Sequence, residues 1–137
     1  MIGILTKNID FLLQQKIDQN DTCVFFDGYI PPMVADNISK FSVSSIHDFT
    51  GIGISTCIST TQKLMATSML SKKIYLVGDP SWIRLSNFRY VDLLDIFWND
   101  DVKIVSLNKD MDDILTKMFR KPDALMEEFD SQLLENI

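Results

Sequence analysis

Five polar clusters, each directly after an apolar run, carry side chains that could bind or transform a small molecule. They are Thr6-Lys7-Asn8, Asp27-Gly28-Tyr29, Thr56 to Thr60, Gly78 to Ser81 and Ser106 to Lys109. If the apolar runs are parallel strands, these clusters share the carboxyl edge of one sheet, where helix N-termini converge and open α/β sheets bind ligands. Ser59, Thr60 and Thr61 would offer hydroxyls and free N–H groups at a helix start, a phosphate cradle, although helix capping alone explains them. Trp82 and Arg84 could stack on and clamp a base or sugar, while Trp82 serves equally as a core anchor. Asp79 before Pro80 and Asp27 before Gly28 read first as turn residues and second as acids or bases.

Other pairings are weaker. His47 beside Asp48 invites proton transfer, but a sequence neighbour does not orient an imidazole, and no Ser or Cys nucleophile is placed for it. Asp100-Asp101, Asp112-Asp113 and Glu127-Glu128 are adjacent, so on a helix they diverge by about 100° and form solvated faces. No G-x-G-x-x-G follows the first run, Gly51-Ile-Gly53 lacks a third glycine, and no G-x-x-x-x-G-K-[ST] occurs. A dinucleotide or P-loop site is therefore not expected, nor any cofactor. Two cysteines, Cys23 and Cys57, with no C-x-x-C and one histidine, argue against a disulfide or a zinc site.

The elements that must position these clusters alternate between short apolar runs and longer amphipathic ones, the pattern of βαβ units and a largely parallel sheet. Strands are predicted at Ile2 to Leu5, Thr22 to Phe26, Ile52 to Thr56, Ile74 to Val77 and Val102 to Val105, with a less buried one where Phe41, Val43 and Ser45 alternate with polar neighbours. Helices are predicted from the stripes Ile9-Leu12-Leu13-Ile17 and Leu64-Met65-Met69-Leu70, and over Met33 to Lys40, Tyr90 to Trp98 and Met111 to Phe119. After Lys121-Pro122, the stripe Leu125, Met126, Phe129, Leu133 and Leu134 predicts a closing helix. The expected fold is α/β: one doubly wound, Rossmann-like domain spanning residues 1–137, with a mainly parallel sheet of about five strands and helices on both faces.

Composition agrees. The chain has 137 residues, 46% hydrophobic and 23% charged, the balance of a globular domain. Its formal charge of −6 is uneven: residues 1–91 carry eight basic and seven acidic side chains, residues 92–137 five and twelve. A surface of that sign repels phosphate backbones and anionic lipid, so neither nucleic acid nor membrane is expected as a partner. The apolar start is too short for a signal segment and no run approaches the ~18 apolar residues of a membrane span, so the expected location is cytoplasmic. The aromatic group Phe88, Tyr90, Phe97 and Trp98 reads equally as core or as a dimer patch.

The segments 23–32 (CVFFDGYIPP), 56–61 (TCISTT) and 73–84 (KIYLVGDPSWIR), with 102–106 (VKIVS) and 126–129 (MEEF), resemble the glycosyltransferase-like proteins encoded by tailed phages and their marine relatives. Those look like one Rossmann-type half of a GT-B glycosyltransferase. The resemblance implies binding of a nucleotide sugar, with Tyr29, Thr56, Ser59, Thr60, Asp79, Trp82 and Arg84 in the shared segments and, for a phage protein, a location in the host cytoplasm. It departs from the pattern at Asp79-Pro80-Ser81-Trp82, where an acidic residue is expected directly before the tryptophan. One half lacks the wall that would exclude water and orient an acceptor, so transfer would require a homo-oligomer or a second chain. The competing expectation is an inactive phage protein that binds a protein partner through its acidic C-terminal helices.

Overall fold

A computed structural model describes residues 1–7, 17, 20–28, 38–80, 82 and 88–137. The strands are β1 (Ile2–Thr6), β2 (Thr22–Phe26), β3 (Ser39–Ser42), β4 (Ile52–Ser55), β5 (Lys72–Val77), β6 (Val102–Ser106) and β7 (Ala124–Leu125). Four α-helices are described: α1 (Ile58–Met65), α2 (Tyr90–Phe97), α3 (Lys109–Met118) and α4 (Ser131–Asn136), with a 3-10 segment at Val43–Asp48 between β3 and β4. All strand pairs are parallel, in the order β3-β2-β1-β4-β5-β6-β7. The α/β class and the parallel sheet follow the expectation.

The sheet has seven strands where about five were expected. The outermost ones are β3, which is mostly exposed, and β7, which has two residues, so neither carries the apolar run that marks a strand buried on both faces. The strand expected through Val43 and Ser45 stops at Ser42, and the next residues turn as a 3-10 helix. The helix expected over Met33 to Lys40 gives way to β3 from Ser39; residues 33–37, like the first predicted helix over 9–16, lie outside the described residues.

The closing helix expected over Leu125 to Leu134 is also corrected, because β7 occupies Ala124–Leu125 and α4 begins at Ser131. The cause is local hydrogen bonding. Asp123 N donates to Ile104 O and Asp123 Oδ2 accepts from Ile104 N, both at 2.8 Å, while Met126 N donates to Ser106 O at 2.9 Å. These bonds satisfy the open edge of β6, which a helix over the same residues would leave bare. Asp130 then caps α4, its Oδ1 accepting from Gln132 N and Leu133 N.

Alternate residues of each strand point to opposite faces. On one face Ile2, Ile4, Val24, Phe26, Ile54, Ile74 and Leu76 form a core closed by Met126 and by Leu134 of α4. On the other, Tyr75, Val77, Val102 and Ile104 pack beneath α1, α2 and α3 through Ile58, Ile96, Phe97 and Leu115, and Leu5, Cys23 and Phe25 beneath Ile46 and Leu64. Two glycines in register, Gly3 of β1 and Gly53 of β4, set the closeness of that second layer. A Cβ on Gly3 would lie 2.8 Å from the rings of Phe25 and Phe49, and one on Gly53 would lie 2.6 Å from Leu64 and Leu70. Among the described residues no helix is long and apolar enough to cross a membrane.

Candidate functional site

From β1 the sheet grows outward through β2 and β3 on one side, and from β4 through β5, β6 and β7 on the other. Chain connections therefore diverge between the carboxyl ends of β1 and β4, the switch point at which open α/β sheets bind ligands in a crevice. Thr6 ends β1; Ser55 ends β4, and Thr56 and Cys57 lead into α1.

These residues form a continuous hydroxyl network. Thr56 Oγ1 lies 3.3 Å from both Leu5 O and Thr6 Oγ1, which ties the two strand ends together. Cys57 is the N-cap of α1, and its Sγ lies 3.4 Å from Ser59 Oγ and 3.3 Å from Thr60 Oγ1. Thr60 Oγ1 accepts from Thr56 N at 3.3 Å and Cys57 N at 3.2 Å, and donates to Cys57 O at 3.1 Å. Thr61 Oγ1 donates to Cys57 O at 2.7 Å and lies 2.7 Å from Ser55 Oγ. Thr60 and Thr61 are fully buried, so their hydroxyls hold the turn; Thr56, Cys57 and Ser59 are partly exposed and line the surface that the turn presents. The first N–H groups of α1 have no intrahelical carbonyl and carry the positive end of its dipole.

The rim is charged. Asp27, directly after β2, donates its N–H to Thr6 O at 3.0 Å. The next residue, Gly28, has φ +112°, a conformation that favours glycine. Asp27 Oδ1 accepts from Lys63 Nζ at 2.6 Å, and Lys7 Nζ lies 3.6 Å from its Oδ2. The Lys63 hydrogen bond, with the charges of Lys63 and Lys7, holds the Asp27 carboxyl below the ordinary aspartate value against the opposing effect of burial. Among the described residues, two ammonium groups thus face the one Asp27 carboxylate, on a chain that is acidic as a whole.

Of the residues expected from sequence, Thr56, Ser59 and Thr60 come together here. Asp79 follows β5 and is exposed. Burial first, then the nearby Cys57 and Asp79, push the Tyr75 phenol well above its ordinary value, so it stays neutral. Trp82 goes to the core: it is 3% exposed and meets Phe97 and Phe119 edge-on at 5.4 Å and 6.4 Å. Tyr29 and Arg84 lie outside the described residues. The cluster after β6 serves the fold, since Asn108 caps α3 by accepting from Met111 N at 2.8 Å and ties β6 to β5 by donating to Gly78 O at 3.0 Å. His47 and Asp48 precede β4 and so stand at the opposite edge of the sheet.

Sequence reasoning missed Lys63. The available signal was its i+4 spacing from Ser59, which puts both residues on one face of α1. Among the described residues no group of three or more His, Cys, Asp or Glu could hold a metal ion, and Cys23 and Cys57 are both free thiols. Comparison with protein families, curated proteins and solved structures gave no match to this chain.

Proposed function

We propose that the β1/β4 crevice binds a nucleotide sugar and that the chain is a glycosyltransferase-like, Rossmann-like domain. The observation carrying this reading is the pairing of Lys7 and Lys63 with Asp27 at the carboxyl ends of β1 and β2, on the sheet edge where chain connections diverge and α1 begins. A diphosphate is the part of such a ligand that two ammonium groups and free helix N–H groups recognise. Asp27 is the acceptor for sugar or ribose hydroxyls, and Thr56 and Ser59 supply neutral hydrogen bonds. Sugar transfer requires a second wall to exclude water and hold the acceptor, contributed by a second copy or another chain. Isothermal titration with uridine, guanosine and thymidine diphosphate sugars tests the reading. Binding of one of them, weakened at least fivefold by Lys63→Ala, supports it; heat-silent titrations with all of them, confirmed by an absence of ligand-induced NMR shifts, contradict it.

A second reading rests on a different observation. Tyr90 and Trp98 of the α2 region are 63% and 60% exposed, and the same stretch of chain carries the exposed carboxylates Asp95, Asp100 and Asp101. A protein partner or a second copy would cover such a surface. Sedimentation of the wild type and of Trp98→Ala distinguishes self-association from a monomer.

A further inference from the structure

The end of the sheet opposite the crevice holds a cavity of about 420 Å³ where β1, β2 and β3 begin, well within the size range of small-molecule sites. Its apolar wall consists of Phe25, Phe41 and Phe49, with Cys23 beside them and Ser45 and Asp48 contributed by the 3-10 segment. Phe25 stacks on Phe41 with ring centroids 5.6 Å apart and meets Phe49 edge-on at 5.3 Å. Phe41 remains 44% exposed, a large apolar surface left in contact with water.

The chemistry of this wall selects by charge as well as by shape. Among the described residues that line the cavity, Asp48 is the one charged side chain, and the Met1 amino group is already paired with Asp21 at 3.3 Å. Burial pushes the Cys23 thiol up, so it presents a neutral, polarisable surface and donates to Ile2 O at 3.7 Å. Phenylalanine faces carry the negative side of the ring quadrupole and attract cations, while their edges and faces take up other rings. An anionic ligand would meet both the ring faces and the Asp48 carboxylate, and an aliphatic one would forgo ring stacking.

We infer that this cavity is a binding site for a small aromatic amine in its cationic form, with the ring among Phe25, Phe41 and Phe49 and the ammonium directed at Asp48. The site is separated from the crevice by the length of the strands, about 15 Å for five residues, so its fate is independent of the nucleotide-sugar reading.

The test is amide NMR of the full chain titrated with three indoles of matched shape: tryptamine as the cation, tryptophol as the neutral analogue and indole-3-acetate as the anion. The expected result is shifts confined to the surroundings of Cys23, Phe25, Phe41 and Phe49, with tryptamine binding roughly tenfold tighter than tryptophol and indole-3-acetate weakest. Asp48→Asn should remove the preference for tryptamine, and Phe41→Ala should weaken tryptamine and tryptophol alike. Both positions are exposed, and the unliganded spectra show whether the variants keep the fold. Shifts spread over the acidic surface of residues 92–137, equal or tighter binding of indole-3-acetate, or an unchanged preference in Asp48→Asn would each overturn the inference.

Discussion

Asp27 and Lys63 stand 36 residues apart in the chain, yet Lys63 Nζ lies 2.6 Å from Asp27 Oδ1. The contact joins the tip of β2 to the last turn of α1 across the end of β1, so it reports directly on whether this edge of the sheet is assembled.

The pair predicts a pH dependence. Asp27 has a lowered carboxyl pKa in the folded protein, so its contribution to stability is present above the unfolded aspartate value of about 3.9 and is lost as pH falls through the folded value. Lys63 is 45% exposed, and screening by solvent limits the pair to about 0.5–1 kcal/mol. Urea unfolding of Lys63→Met should show that deficit at pH 7 and a progressively smaller one as the pH is lowered below the unfolded aspartate value. An undiminished deficit at low pH would mean that Lys63 stabilises by packing.

Arg120 gives the larger expected loss. Its Nε donates to Phe97 O at 2.6 Å and its Nη2 to Val102 O at 3.1 Å, while Nη1 and Nη2 each lie 3.2 Å from Asp123 Oδ2. One planar guanidinium thus closes the end of α2 onto β6 and holds the carboxylate that starts β7. Arg120→Ala should cost about 2–3 kcal/mol in urea unfolding and speed hydrogen exchange at Ile104 N, which donates to the same Asp123 oxygen. Arg120→Lys should recover less than half, because an ammonium cannot span the fork.

Gly53 should resist even a methyl group. A Cβ there would lie 2.6 Å from a methyl group of both Leu64 and Leu70, so those side chains must shift, and Leu64 is fully buried. Gly53→Ala should destabilise by about 1–3 kcal/mol, and Gly53→Ala combined with Leu70→Ala should lose less than the two single changes together. Additive losses would show that the glycine serves some other constraint.

Much of this architecture was readable before the structure. Strands β1, β2, β5 and β6 have residues buried on both faces and appear as continuous apolar runs, and the strand-end rule selected Thr56, Ser59 and Thr60 together. Edge strand β7 was hidden because its pairing depends on Asp123 bonding across the ladder, a tertiary interaction that overrides the helical stripe through Leu125 and Met126. Trp82 was ambiguous for a different reason: an aromatic after a strand stacks on a ligand or fills a core, and its neighbours Phe97 and Phe119, which decide for the core, come from distant helical segments. Lys63 escaped notice because its partner Asp27 is set beside it by the crossover of the sheet and not by proximity in the chain.

The most direct test of the central claim is thermal unfolding of the purified protein against nucleotides and nucleotide sugars, for the wild type and Lys63→Ala. A ligand at 100 times its dissociation constant adds about 2.7 kcal/mol, a rise of roughly 9 °C for a chain of this size. Nucleotide-sugar binding at the β1/β4 crevice predicts such a rise with at least one nucleotide sugar and a smaller one in Lys63→Ala. No rise with any of them, or an equal rise in both proteins, would contradict it.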